Sequence, residues 1–313
     1  MKFLLYIFNF NKIKKKYLII FFYFVLTFII CDRLCSFFLN TLLNLSTLPH
    51  AELYAGKGKS EIIILGDSRG YRSFDENYFS NKTKKKTKNY SIIGGSTLIN
   101  EIIIKDYLDI YNEPPKIILF EISNLLMGNE AIKEFRVFGY KSKRISNLLK
   151  NKYPKIYYGG KLSNLFQFNN ETFFNGIQKI FIPYKYKSLK GFMNNIIDIN
   201  KIEKKTFNAN NHLIDKNIES LQRIIKLCEE KNIKLYLVIA PFYPNRLMFE
   251  EDEFNLWVKK TKKNIKNIPI INFSKNIKNE KYFYDWKHIN NQGIKIFNKN
   301  FFDHQFTKKI FNE

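Results

Sequence analysis

Three short stretches of this chain carry side chains of the right types and spacing for acyl chemistry. Gly66-Asp67-Ser68-Arg69 directly follows the apolar run Glu61–Leu65 (EIIIL). A serine on a tight turn after a strand presents its hydroxyl at the carboxyl edge of the sheet, and the neighbouring glycine permits that turn. Asp285-Trp286-Lys287-His288 puts a carboxylate and an imidazole three residues apart, on one side of a single turn. From there the carboxylate can fix the imidazole tautomer while the other ring nitrogen faces a nucleophile. Gly94-Gly95-Ser96-Thr97 follows a second apolar run, and its backbone N–H groups can point at an oxyanion. Each stretch also has a plain reading: a chance turn, a helix start capped by Asn290 beside an incidental histidine, and an ordinary glycine turn. Arg69, beside the serine, either binds an anionic substrate group or braces the loop.

The elements that must position these residues alternate. Glu61–Leu65, Tyr90–Ile93, Lys116–Ile122, Lys234–Ala240 and Ile268–Asn272 read as short buried strands. Between and after them, Leu98–Tyr111, Ile218–Lys231, Glu251–Ile265 and Asn290–Phe302 carry helical patterns. Strand and helix in turn predict a parallel sheet covered on both faces, with ligand-holding loops along one edge. The fold class is therefore α/β, a flavodoxin-like three-layer α/β/α body over residues 60–313. Residues from about 127 to 217, basic and rich in Tyr, Phe and Asn, break the rhythm. They are too many for a loop and read as a partly helical insertion beside the ligand edge. Lys82–Lys88 (KTKKKTK) reads as a solvated loop.

The N-terminus points to a membrane. Tyr17–Cys31 is an uncharged stretch with Thr27 as its one polar interruption. As a helix it would run about 22 Å, short of a bilayer core of roughly 30 Å, with Lys14–Lys16 snorkelling on one side and Asp32-Arg33 at the other interface. No Ala or Gly precedes Ala51, which argues against a cleaved signal peptide, and no small residue precedes Cys31 or Cys35 as a lipoprotein signal requires. The expectation is a cytoplasmic segment 1–16, an uncleaved anchor and juxtamembrane segment 17–45, and a body outside the cytoplasm, oriented by the flanking lysines.

Composition narrows the remaining classes. Three cysteines and four histidines are too few and too scattered for a disulfide framework or a metal centre, so no metal and no cofactor is expected. The formal charge of +24 comes from 45 Lys and only 7 Arg in 313 residues, a skew that an AT-rich coding sequence produces. Attraction to anionic lipid or polysaccharide is the other source of that excess. Nucleic acid is not an expected partner, because specific readers lean on Arg. Gly58-Lys59-Ser60 ends like a phosphate loop, but Leu53 stands where its first glycine belongs and the motif precedes a strand.

Taken in order, ILGDSRGYRSFDENYF, NYSIIGGST, KIILFEISN, LYLVIAPFYP and YDWKHINNQGIKIF resemble the blocks of the SGNH, or GDSL-type, hydrolase superfamily over about Glu61 to Phe302. The resemblance is to its membrane-anchored bacterial branch, which includes proteins of cell-surface polysaccharide O-acetylation and teichoic acid D-alanylation. It implies Ser68 as nucleophile, His288 as general base and Asp285 as its orienting acid. The N–H groups of Ser68 and of Gly94 or Gly95 would form the oxyanion hole. The superfamily's third block has Gly-x-Asn-Asp; here Ser123-Asn124 stands alone, so Asn124 is the candidate side-chain donor. The implied activity is ester hydrolysis or O-acyl transfer in the cell envelope. Its partners would be a cell-surface polysaccharide or lipid-linked glycan, the bilayer, and a membrane-bound acyltransferase. The alternative is an inactive glycan-binding or assembly protein on the same fold.

Overall fold

Strand residues alternate between two apolar faces, and that alternation builds the body. In this computed structural model, which describes residues 15–126, 130–181, 212–245, 251–265 and 268–312, Ile63, Leu65, Ile118, Phe120, Leu237 and Ile239 face one core. Ile62, Ile64, Ile117, Leu119, Val238 and Ile271 face the other. A sheet buried on both sides needs apolar residues at every strand position, which is why EIIIL and KIILF read as unbroken runs.

The elements run as follows. Helix α1 spans Lys15–Leu43 and α2 Pro49–Tyr54; β1 (Ile62–Leu65), α3 (Ser68–Ser73), α4 (Glu76–Thr83), β2 (Thr87–Asn89), α5 (Thr97–Tyr111) and β3 (Ile117–Glu121) follow. Then come α6 (Lys143–Lys152), α7 (Pro154–Leu162), α8 (Glu171–Phe181) and α9 (His212–Glu230). The chain closes with β4 (Lys234–Ile239), α10 (Glu251–Asn264), β5 (Ile270–Asn272), α11 (Asn291–Asp303) and α12 (Gln305–Asn312). All pairings are parallel and the strand order is β2-β1-β3-β4-β5. This is the flavodoxin-like order, with a switch point between β1 and β3, where the outgoing connections part to opposite sides and leave a crevice beyond the strand ends. Ile99 and Ile103 of α5, Leu221 of α9 and Trp257 of α10 cover one face. Phe79 of α4, Phe297 and Phe301 of α11 and Ile310 of α12 cover the other.

Around the second strand two boundaries differ from the sequence reading. The second strand is Thr87–Asn89, so the end of KTKKKTK is sheet and only its middle turns. Tyr90 and Ile92 still donate along the ladder to Ile64 O at 2.8 Å and Gly66 O at 3.0 Å, but past Asn89 the chain is already leaving for the glycine turn. Polar Asn89 is buried there because its Nδ2 donates to Gly70 O and Phe74 O.

Helix α1 is long and apolar enough, by length and composition, to cross a membrane, and its side chains from Tyr17 to Ile30 lie open. The described parts of the predicted insertion are 130–181, which is helical, and 212–217, which the structure instead makes the first turns of α9, six residues before the expected start at Ile218. Ile132, Phe135, Phe138, Ile145 and Leu149 join the core on the α5 side of the sheet, where Arg144 Nη1 binds Asp106 Oδ1 at 2.8 Å. Residues 127–129 and 182–211 of the predicted insertion lie outside the described residues.

Candidate active site

Gly66 carries the chain out of β1 into α3 at φ 155°, and a Cβ there would stand 2.9 Å from Glu121 Cβ. Only glycine lets the turn lie this close to β3. Asn100 of α5 holds the same residue from the other side: its Oδ1 accepts from Gly66 N–H at 3.1 Å and its Nδ2 donates to Gly66 O at 3.1 Å. Asp67 then caps α3 by accepting from Arg69 N–H at 2.8 Å, which makes Ser68 the first residue of the helix. The Ser68 N–H thus belongs to a first turn whose donors have no acceptor within the helix.

The partner motif comes from the other end of the chain. Phe283 and Ile289, both buried, pair as an antiparallel bridge and pinch residues 284–288 into a tight loop. Asn290 stops it by capping α11, accepting from Gln292 N–H and Gly293 N–H. Asp285 Oδ1 accepts from the backbone N–H of Lys287 at 2.7 Å and of His288 at 2.8 Å, so the carboxylate is fixed by its own loop. His288 Nδ1 lies 2.8 Å from Asp285 Oδ2 and its Nε2 lies 2.8 Å from Ser68 Oγ. A carboxylate only accepts, so the imidazole proton sits on Nδ1 and Nε2 is left to accept from the serine hydroxyl. Burial raises the Asp285 pKa, but the His288 hydrogen bond and charge and the two backbone donors outweigh it and hold the carboxyl below its ordinary value. The carboxylate is therefore charged at neutral pH, opposite the ring that would take up a proton.

The glycine turn divides its two candidates. Gly95 N–H donates to Ile92 O at 2.8 Å, closing the turn, so that donor is already committed; a Cβ on Gly95 would meet Ile92 Cβ at 2.7 Å. Gly94, exposed at φ 69°, occupies the third position of the turn, whose N–H is not part of the turn's bond. Of the two N–H groups expected to serve an oxyanion, the turn commits that of Gly95 and not that of Gly94. Asn124 stands in the 3-10 segment Ile122–Leu126 after β3; its side chain lies outside the described residues.

Arg69 is corrected as a substrate-binding residue. It is 3% exposed, its Nη2 donates to Ala240 O at 2.5 Å and Pro241 O at 3.0 Å, and its guanidinium stacks 3.4 Å over the Phe242 ring. The side chain ties the Ser68 turn to the end of β4. Beneath it lies a buried carboxyl that sequence reading passed over. Glu121 accepts from Ser123 Oγ at 2.5 Å and from Ala240 N–H at 3.3 Å, with Arg69 Nε 3.9 Å away. Burial pushes its pKa up to about 7; the Arg69 charge opposes the rise and Asp67 adds to it. Ser123 Oγ also reaches Asp67 Oδ1 at 3.2 Å, linking the ends of β1 and β3. A glutamate closing an apolar strand, and an asparagine on the buried face of α5, were the signals available for these residues. Among the described residues no cluster of His, Cys, Asp and Glu could hold a metal ion.

The sequence matches no family model and no curated protein. Among solved structures, it is similar to a protein described as an acylhydrolase from Bacteroides fragilis, at 11% identity and TM-score 0.40 over 80% of this chain and 87% of that one. It is similar to a protein described as a platelet activating factor from Streptococcus pneumonia, at 11% identity and TM-score 0.41 over 91% and 97%. It is also similar to a GDSL-like lipase from Bacteroides thetaiotaomicron, at 10% identity and TM-score 0.41 over 84% and 98%. Likenesses this distant decide nothing about the chemistry, which rests on the side chains themselves.

Proposed function

We propose that this protein is an SGNH-type serine esterase or O-acyltransferase, anchored in a membrane by α1 and acting on ester-linked acyl groups of a cell-envelope glycan. The observation that carries the reading is the unbroken contact from Asp285 through His288 to Ser68, at 2.8 Å for each step, at the carboxyl edge of the sheet beside the β1/β3 switch point. That is the geometry a nucleophile, its base and an orienting acid require.

In the proposed reaction Ser68 Oγ attacks the ester carbonyl as its proton passes to His288 Nε2. Asp285 stabilises the imidazolium without taking the proton. The carbonyl oxygen, now negative, is held by the N–H groups of Ser68 and Gly94, with Asn124 as the further candidate donor. His288 then returns the proton to the leaving alcohol, and the acyl-enzyme passes its group to water or to a sugar hydroxyl. The glycan assignment draws on the anchor, which holds the body at the envelope surface with the N-terminus on the cytoplasmic side, and on the lysine excess facing anionic polymers. The same reading makes a membrane-bound acyltransferase a natural supplier of acyl groups.

Separate Ser68→Ala and His288→Ala variants, assayed on an aryl acetate and with an active-serine phosphonate probe, test the reading. Loss of turnover in both, with probe labelling lost in Ser68→Ala, is expected. Unchanged turnover in both variants removes the triad. No labelling of folded wild-type protein favours an inactive glycan binder.

A further inference from the structure

We infer that the insertion is an interfacial membrane element: the α7 corner and the outer face of α8 sit at the boundary between headgroups and acyl chains of the outer leaflet. This rests on reading α1 as a membrane span. Along α1, Asp32, Ser36 and Leu43 are buried on one side, while Leu34, Phe37 and Phe38 stay exposed on the other. Apart from Arg33, which lies 3.3 Å from Asp32 and can snorkel outward, the open surface therefore continues apolar from Tyr17 to Phe38, about 33 Å of helix at 1.5 Å per residue, enough to cross a core of roughly 30 Å. On that scale Asp32, about 22 Å along from Tyr17, lies within the outer part of the core rather than beyond it.

A carboxylate at that depth needs donors, and the insertion supplies them. Asp32 accepts from Ser163 Oγ at 2.5 Å, Asn164 N–H at 2.9 Å and Leu165 N–H at 3.1 Å. The turn that ends α7 is thereby pinned at the depth of Asp32. Helix α8 is fastened alongside: Ser46 Oγ donates to Gly176 O at 2.6 Å, and Thr47 Oγ1 to Lys179 O at 3.1 Å. With Phe173, Gly176 and Lys179 turned inward, α8 presents Phe174 and Phe181 outward. Tyr158, Leu162 and Phe166 are likewise open on the corner, Leu162 at 82% exposure. Large apolar side chains this exposed, held next to a lipid-facing helix, continue its apolar surface. Exposed Lys155 and Lys161 on α7 can snorkel to anionic phosphates. Interfacial helices bury their apolar face by about 5–10 Å, the depth that the Asp32 contacts impose. These aromatic side chains then meet lipid rather than sugar rings.

The test uses the full chain with Cys31, Cys35 and Cys228 replaced by Ala, reconstituted in nanodiscs of phosphatidylcholine and phosphatidylglycerol. Single cysteines at Leu162→Cys, Phe174→Cys, Tyr23→Cys and Lys226→Cys carry an environment-sensitive fluorophore, read with and without brominated acyl chains. Quenching at Leu162 and Phe174, shallower than at Tyr23 and absent at Lys226, is the expected result. Quenching at Tyr23 with Leu162 and Phe174 behaving like Lys226 overturns the interfacial placement and leaves the span intact. No quenching at Tyr23 overturns the span, and the placement with it. Contact quenching between two labelled Leu162 positions without an effect of brominated lipid identifies a second copy as the occupant and also overturns it.

Discussion

In the proposed mechanism, Asp285 contributes through the charge it keeps. Its hydrogen bonds from Lys287 and His288 hold it ionised, so it can fix the Nδ1 proton and offset the imidazolium that forms at His288. Replacing it with asparagine keeps the shape but lets an amide N–H face Nδ1, which favours the wrong tautomer. Asp285→Asn is expected to lower kcat by about 10³- to 10⁴-fold with little change in KM, measured on the aryl ester. Glu121 gives a second prediction at this scale. With its pKa raised from 4.5 to about 7, the folded protein holds a proton through that interval that the unfolded chain releases. Stability from this group is therefore present below about pH 4.5, falls as pH rises through the interval, and is lost above about 7. Thermal melts from about pH 5 to about pH 8 are expected to show a smaller decline in Glu121→Gln than in the parent. The contact of Ser68 with His288 and Asp285 was legible because each half is a short local motif: Gly-Asp-Ser after a strand, Asp-x-x-His before a helix. Arg69 was not, since whether a guanidinium faces substrate or β4 depends on Ala240 and Phe242, over 170 positions away.

At the scale of elements, the Ser68 turn is placed by a clamp between β3 and α5. Glu121 forbids a side chain at Gly66, and Asn100 satisfies both polar groups of that residue. Asn100→Ala leaves the buried Gly66 N–H without its acceptor, at a cost of about 1–3 kcal/mol for that unsatisfied group, while Gly66 O keeps the Ile92 N–H. Loss of the clamp is expected to lower kcat with KM nearly unchanged. Titration with the phosphonate probe separates a misplaced serine from a smaller folded fraction, because only misplacement slows turnover per labelled site. Strands β1, β3 and β4 were readable because burial on both faces forces continuous Ile, Leu and Val. Strand β2 was not. It stands at the sheet's outer end, and its Thr87 and Asn89 are buried through hydrogen bonds instead of apolar contact, so an apolar run displaced the expected strand to Tyr90–Ile93.

Over the whole molecule, α1 and the insertion form one unit joined by contacts some 130 positions apart in the chain. A sequence window sees an apolar helix ending at a charge, and then, far along, a basic aromatic stretch without clear period. It cannot see that the charge caps the turn after α7. Asp32 is the test of that unity. Asp32→Ala strands the Ser163 hydroxyl and the Asn164 and Leu165 N–H groups, a loss on the order of 1–3 kcal/mol per donor left unpaired. The affected segment touches α1, while Ser68, His288 and Asp285 are held by β1, β3, α5 and the loop before α11, so the damage should stay local. In nanodiscs, trypsin is expected to cut Asp32→Ala faster at Lys155 or Lys161, with phosphonate labelling of Ser68 unchanged. Faster cutting together with lost labelling would mean that the anchor reaches the active site through the insertion. Equal cutting in both proteins would mean that the corner is held by its packing on the core and not by the carboxylate.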